Sequence, residues 1–233
     1  MRLRPVIIAC TIVLIAAACS SGGSDAPAET NVTGVPASGG TIRVAMTSDF
    51  QAALDPAKQY EAVSSELYRC CLLRTLLAFE GVPGDEGGSE LRPDLATELP
   101  AVSEDGLTWT FTIREGAAYA PPFEAGSVTA EDFVRALERE ADPRANVGGY
   151  SFYFSVIEGF DEFTAGKAKT ISGISAPSPQ TLEVRLSEPT GDLGYRFALP
   201  ATAPIPPLGD APMGVAAGHT ADYGRFLIEP GRT

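Results

Sequence analysis

From Leu107 to Ile113 the chain alternates apolar residues and threonine without a break: Leu107, Thr108, Trp109, Thr110, Phe111, Thr112, Ile113. A period of two is the pattern of a strand with one buried face, and a helix cannot satisfy it. Leu107, Trp109, Phe111 and Ile113 therefore belong on the core side. Asp105-Gly106 before the run and Glu115-Gly116 after it are turn signals. From Thr129 onward the spacing becomes helical. Thr129 reads as an N-cap, Asp132 stands where a capping-box carboxylate belongs, and Phe133 and Leu137 share one face. Asp142-Pro143 stops this helix, because a residue before proline avoids the helical region. A capped helix beside half-buried strands predicts a mixed α/β fold.

The chain has 233 residues, enough for one good core. It carries 17 basic against 30 acidic residues, a formal net charge of −13. Such a surface disfavours nucleic acid and anionic lipid, which both need a positive patch. Residues 1–19 have the form of a leader rather than of a folded element. Arg2 and Arg4 make a positive n-region, Val6 to Ile15 is apolar but too short for a stable membrane span, and Ala16-Ala17-Ala18 is a small-residue cleavage site. Cys19 follows directly, then a Ser/Gly run. That order resembles a bacterial lipobox, with Ala16 where leucine is usual, and makes Cys19 a candidate lipid-attachment site and mature N-terminus. Ordinary cleavage after Ala18 stays open. Residues 20–38 are rich in Ser, Gly, Ala and Pro and read as a flexible tether.

Four cysteines do not make a disulfide scaffold here. Cys10 lies in the leader, and Cys70 and Cys71 are adjacent within an apolar run. Neighbours in a helix point about 100° apart, so a bond between them would strain the helix. Two small buried apolar residues are the expectation. There is no Cys-x-x-Cys and the sole histidine is His219, so no metal-site spacing exists. With no Gly-x-Ser-x-Gly and no histidine beside a nucleophile, no catalytic residues are assigned. Gly166-Lys167 is not a phosphate loop, because Asp161 stands where its first glycine would be and Ala168 follows the lysine. No cofactor is implied.

In chain order, residues 41–46 read as a first strand, and Ser48, Asp49 and Phe50 leave it in a loop. Residues 61–79 are helical in pattern, with Val63, Leu67, Cys71, Leu72, Leu76 and Phe79 on one broad face. Strands at 91–95 and 97–102 lead into the alternating run, and Ser103-Glu104-Asp105-Gly106 suggests a hairpin. The densest aromatic cluster is Tyr150, Phe152, Tyr153 and Phe154, either a core patch or a wall that stacks on a ligand. Residues 154–167 look helical. Residues 171–176 and 181–186 form a second hairpin around Pro177-Ser178-Pro179, and 189–199 contain a short helix.

Several blocks, in order, carry a resemblance. Pro93-Asp94-Leu95-Ala96, Asp105-Gly106-Leu107-Thr108, Trp109-Thr110-Phe111, Arg114-Glu115-Gly116 and Thr129-Ala130-Glu131-Asp132-Phe133 are similar to the family 5 extracellular solute-binding proteins, receptors of ABC importers. The hairpin at 171–189 fits the same pattern. Tyr119 to Phe123 departs from the usual Phe-His-Asp-Gly-like turn, which leaves the ligand class open. The resemblance implies an α/β fold, a partial two-lobed periplasmic-binding-protein type II fold: part of the main lobe plus a small hairpin-and-helix subdomain at 61–190 within residues 39–233. It implies a monomeric binding protein, not an enzyme, tethered outside the cytoplasm. Its partners would be a peptide or similar small solute and the ABC permease subunits. It makes Ser48, Asp49 and Phe50 candidates for the cleft wall, and an ordinary loop there stays open. Tyr150 and Phe152 are further candidates as a stacking surface. Near Asp222 to Leu227 the chain resembles the point where family members continue into a Gly-Pro-Tyr-like segment. The second lobe is then expected beyond residue 233, and this polypeptide alone should bind peptide weakly or not at all, since one wall cannot enclose a ligand. The alternative function is a vestigial or interaction-only half-receptor without transport.

Overall fold

The capping box forms where its spacing predicts. The computed structural model of the chain describes residues 45, 55–58, 60–119, 126–145 and 149–207. Thr129 is extended at φ −128°, and helix α2 runs Ala130–Ala141 behind it. The Thr129 N–H donates to Asp132 Oδ2 at 2.8 Å, which satisfies a backbone donor that the helix cannot. Phe133, Ala136, Leu137 and Ala141 are all buried. Removing side chains the size of Phe133 and Leu137 from water contributes about 2–3 kcal/mol each. The helix ends at Asp142, extended at ψ 111° in front of Pro143, for the steric reason given above.

Helix α2 lies against an antiparallel sheet of four strands: β3 (Ala101–Val102), β4 (Thr108–Thr112), β5 (Ile174–Ser178) and β6 (Thr181–Arg185), in the spatial order β3-β4-β6-β5. Both expected hairpins are present, β3–β4 and β5–β6, with two corrections: Pro177 and Ser178 belong to β5, so the second turn falls at Pro179-Gln180, and of the expected strand 97–102 only 101–102 is strand. The first turn is set by Asp105, whose Oδ1 accepts from Ser103 Oγ at 2.5 Å and from the Leu107 N–H at 3.0 Å. These bonds hold the Asp105 carboxyl below its ordinary range. Gly106 follows at φ +71°, a conformation a side chain would resist. On the core side Phe111 faces Leu182 across the β4–β6 pair, and Phe111, Ile113, Leu182 and Val184 are buried. Leu107 and Trp109 pack onto the same core but stay partly exposed at its edge. Phe111 meets Phe197 with ring centroids 4.9 Å apart, and Phe197 in turn lies 6.3 Å from Phe154. The Ala130 N–H donates to Pro179 O at 2.8 Å and fixes the helix start to the β5–β6 turn.

The Pro-Asp-Leu-Ala block has a physical task. Asp94 is buried, accepts from Arg74 Nε at 2.8 Å, and its backbone carbonyl accepts from Arg114 Nε at 3.2 Å. Backbone bonds from Asp94, Leu95 and Ala96 run to Leu76 and Thr75. They continue the small sheet of β1 (Leu77–Phe79) with β2 (Leu91–Pro93).

That sheet corrects the reading of 61–79 as one helix. Helix α1 covers only Ala62–Leu67, a π-helical turn spans Tyr68–Leu72, and Leu73 is extended. Pairing with β2 claims the last residues, and pairing between distant segments leaves no trace in local periodicity. The face assigned to this stretch is correspondingly mixed: Leu76 is buried, whereas Val63 and Cys71 are exposed. The expectation for the cysteines is also overturned. Cys70 and Cys71 are both exposed, and their sulfurs are bonded to each other at 2.06 Å. The objection to such a bond assumes α-helical geometry, and the chain there is π-helical, which winds less per residue.

Residues 154–167 form a helix only at α3, Phe160–Thr164. Gly159 explains the late start. It sits at φ +78°, and a Cβ there would lie 2.3 Å from Ser172 Oγ. Helix α4, Leu193–Arg196, and a 3₁₀ turn, Pro200–Thr202, complete the described order. Residues 203–207 then run along α2, where Ile205 N–H donates to Asp132 O at 3.1 Å and Arg135 Nε donates to Ile205 O at 3.0 Å.

Asp132 thus caps α2 and also pairs with Arg135. Asp132→Ala is expected to lower unfolding free energy by about 2 kcal/mol, the loss of a cap plus a charged hydrogen bond. Urea unfolding of the two proteins checks this. A difference below about 0.5 kcal/mol would show that the cap is dispensable.

Candidate functional site

An aromatic ledge is the most distinctive surface of the described chain. A 3₁₀ turn, Ser151–Tyr153, projects Phe152 outward, 61% exposed, with its ring 4.0 Å from that of Tyr153. Tyr60, 53% exposed, joins from the segment before α1. Its hydroxyl is 2.7 Å from that of Tyr153, and its ring is 4.9 Å from that of Tyr150. This hydrogen bond is the main reason the Tyr60 hydroxyl is pushed above its ordinary range. Tyr153 is held from behind, because Arg196 donates to its backbone carbonyl and pairs with Asp192 at 2.8 Å. The exposed rings offer apolar faces with hydroxyls at one end, a surface suited to stacking on and hydrogen-bonding a chain with polar backbone.

Tyr150 is only 4% exposed and stands behind this ledge, hydrogen-bonded to Ser65 of α1. Of the two residues expected to form a stacking surface, Phe152 therefore faces solvent and Tyr150 backs it. Ser48, Asp49, Phe50 and Cys19 lie outside the described residues. Tyr60 is not among the residues that the sequence singles out. It belongs to no periodic segment and meets Tyr153 across 93 positions of sequence, so only the folded chain brings it to the ledge.

Beneath the ledge lies a buried polar cluster. Arg139 of α2 donates from Nη2 to Asp55 Oδ2 at 2.5 Å, with both side chains all but inaccessible. Burial, with the Asp55 charge adding to it, pushes the Tyr68 hydroxyl well above its ordinary range. Glu140, next to Arg139, is 2% exposed, and neither carboxylate oxygen has a hydrogen-bond partner. Burial pushes its carboxyl up to about 8, Arg139 opposes that rise, and Asp55 adds to it. A carboxyl so placed stays protonated at neutral pH, because the charged form has no compensating donor.

A second feature adjoins α1. Glu66, Arg69, Cys70, Leu73, Thr75 and Phe79 help to line a cavity of about 390 Å³. The Arg69 guanidinium lies 4.4 Å over the Phe79 ring and pairs with Glu66 at 3.0 Å. Among the described residues no cluster of His, Cys, Asp and Glu is arranged to hold a metal ion.

The capped helix on a four-stranded sheet, with hairpins on both sides, is part of a periplasmic-binding-protein type II fold, the fold of peptide-binding receptors. The chain belongs to the bacterial extracellular solute-binding proteins, family 5, whose profile, described as the family 5 Middle region, matches residues 90–225. It is similar to the periplasmic oligopeptide-binding protein OppA of Escherichia coli K12, 33% identical over 141 residues, covering 54% of this chain and 25% of that protein. It is also similar to the periplasmic murein peptide-binding protein MppA of the same organism, 34% identical over 145 residues, covering 60% of this chain and 24% of that protein. Among solved structures, Listeria monocytogenes OppA bound to peptide superposes with a TM-score of 0.56 at 30% identity, covering 66% of this chain and 28% of that one. The chain thus spans about a quarter of the length of the curated relatives it matches.

Glu140 gives this region a pH signature. In the unfolded chain its carboxyl loses its proton near the ordinary 4.5, and in the folded chain near 8. The folded state therefore holds the extra proton between those values, and stability falls as pH rises through that window. Glu140→Gln removes the ionisation. Its stability advantage over the parent is expected to be small near pH 4.5 and to grow to roughly 4–5 kcal/mol near pH 8.5. Urea unfolding across that range checks it, and a gap independent of pH would refute the buried protonated carboxyl.

Proposed function

We propose that this chain supplies part of the extracytoplasmic substrate-binding component of an ABC importer, with peptides as the solute. The observation that carries the reading is the exposed Tyr60–Phe152 ledge on a family 5 solute-binding fold. The relatives' names point to oligopeptides and a murein peptide, and one solved relative holds a peptide. Phe152 and Tyr60 would stack on the ligand, Tyr150 and Tyr153 would back them, and Ser48, Asp49 and Phe50 would contribute to the cleft wall. Residues 1–19 would direct export, Cys19 would carry the lipid, and residues 20–38 would tether the binding domain of a monomeric receptor that engages permease subunits. The smaller subdomain would span 61–190.

The described ledge is an open surface, so it can remove only part of a peptide from water. Binding by this polypeptide alone is accordingly expected at millimolar rather than micromolar concentration. The test is titration of di- to pentapeptide pools into the purified chain, followed by calorimetry and by nuclear magnetic resonance shifts of the aromatic rings. The expected result is saturable shifts at Tyr60, Phe152 and Tyr153. Phe152→Ala should weaken the response by roughly fivefold to tenfold, the usual size for one stacked aromatic. No response from any pool, or an unchanged response in the variant, would overturn the assignment of the ledge.

A further inference from the structure

We propose that the exposed Cys70–Cys71 disulfide is a redox modification site, a latch whose reduction by a dithiol reshapes the wall of the cavity beside it. The inference does not depend on the identity of the solute. It starts from what this bond cannot do. A disulfide stabilises a fold chiefly by closing a loop in the unfolded chain, and the effect grows with the number of residues enclosed. These cysteines are adjacent, with their Cα atoms 3.7 Å apart, and enclose none. A stapling role for the whole domain is therefore absent, and the bond acts only on its own turn.

That turn is built to feel it. Tyr68–Leu72 is π-helical, closed by the Leu73 N–H donating to Tyr68 O at 2.8 Å, while α1 before it is α-helical. π-Helical turns are rare and concentrate at functional places, because they carry one residue more than an α-helical turn would. The turn sets the directions of three groups. Tyr68 points into the buried cluster below the ledge, Arg69 lies over Phe79, and Cys70 lines the cavity of about 390 Å³. Both cysteines are exposed, so a reductant reaches them without unfolding the chain. Exposed disulfides are the labile and regulatory ones, whereas structural ones are shielded.

The chemistry balances simply. One thiolate of a dithiol attacks a cysteine sulfur and the S–S bond breaks, leaving a mixed disulfide. Its second thiolate then displaces the other cysteine sulfur. Both cysteines end as thiols, having gained two electrons and two protons, and the dithiol leaves as its own disulfide. Freed of the link, the segment can take the α-helical hydrogen bonds that continue α1. That change turns Cys70 about the helix axis and withdraws it from the cavity wall.

The test uses the full chain and dithiothreitol. Trypsin cleaves after Arg69 and Arg74, so residues 70–74 form one peptide that is separate from Cys10 and Cys19. Alkylation before and after dithiothreitol, read by mass spectrometry of that peptide, gives the redox state of the pair. Hydrogen exchange of amides 68–73, measured in both states, gives the structural consequence. The expected result is an intact bond under oxidising purification, its complete reduction without global unfolding, and a change of about tenfold or more in exchange at one or more of the amides 68–73 as the π-helical bonds are replaced. The double variant Cys70→Ser/Cys71→Ser should reproduce the reduced pattern, and reduction of the parent protein carries the test if that variant fails to fold. Free thiols in the oxidised preparation, equal exchange in the two states, or loss of the whole fold on reduction would each overturn the proposal.

Discussion

Burial of the Arg139 guanidinium is the constraint around which the described structure is arranged. A cation taken out of water needs a partner, and Asp55 is placed to supply it from a segment far away in sequence. Such a pair adds little net stability, because desolvation offsets the attraction, but leaving one member alone is strongly unfavourable. Its effect is thus positional. Wherever α2 packs, residues 55–57 must dock on it, and the Asp55 carboxylate reinforces this by accepting from the Ala57 N–H at 3.1 Å. Phe133 and Leu137 hold α2 on the sheet, and Ile205 bonds its first turn. One helix therefore gathers the start, the middle and the end of the described chain. The aromatic ledge rises just where the first of these segments arrives.

How much of the fold is legible in the sequence depends on the range of the interactions. The alternating run and its Asp-Gly turn are local devices, and β3–β4 forms as they predict. The capping box is equally local, and α2 starts and stops on the expected residues. The stretch 61–79 misleads because Leu76 and Phe79 fall by chance on the helical face of Leu67 and Leu72. What removes them from the helix is pairing with Leu91–Pro93 together with the Arg74–Asp94 ion pair, and neither has a local signature. The end of the third helix is marked in sequence by Gly166, but its start is not. Gly159 must be a glycine because Ser172 crowds it, and Gly173 because the Arg185 and Glu158 carbonyls would lie 2.5 and 2.7 Å from a Cβ there. Close approach between segments is a tertiary fact.

The site divides in the same way. An aromatic-rich segment is visible in the sequence, yet its two candidate rings have different tasks: Phe152 outward and Tyr150 inward. Exposure of that kind follows from the 3₁₀ turn, which a sequence without apolar periodicity does not announce. The disulfide escapes sequence reasoning for a related cause. The geometric argument against it is sound for an α-helix, and the chain avoids the argument by changing helix type over five residues.

The ledge and the π-helical turn hang on the same short element. Helix α1 has six residues, far below the length at which an isolated helix is stable, so tertiary contacts must hold it. Those contacts are the bond between Ser65 and Tyr150, the burial of Tyr68, and the stacking of Arg69 on Phe79. Each belongs either to the back of the ledge or to the wall of the cavity. Val63 on the outer face of α1 is exposed and adds little. A segment with so little burial of its own sits at the low end of local stability, where opening costs less than unfolding the sheet and α2 below it. The proposed recognition surface and the proposed redox site thus both adjoin this one short element, which is held by tertiary contacts.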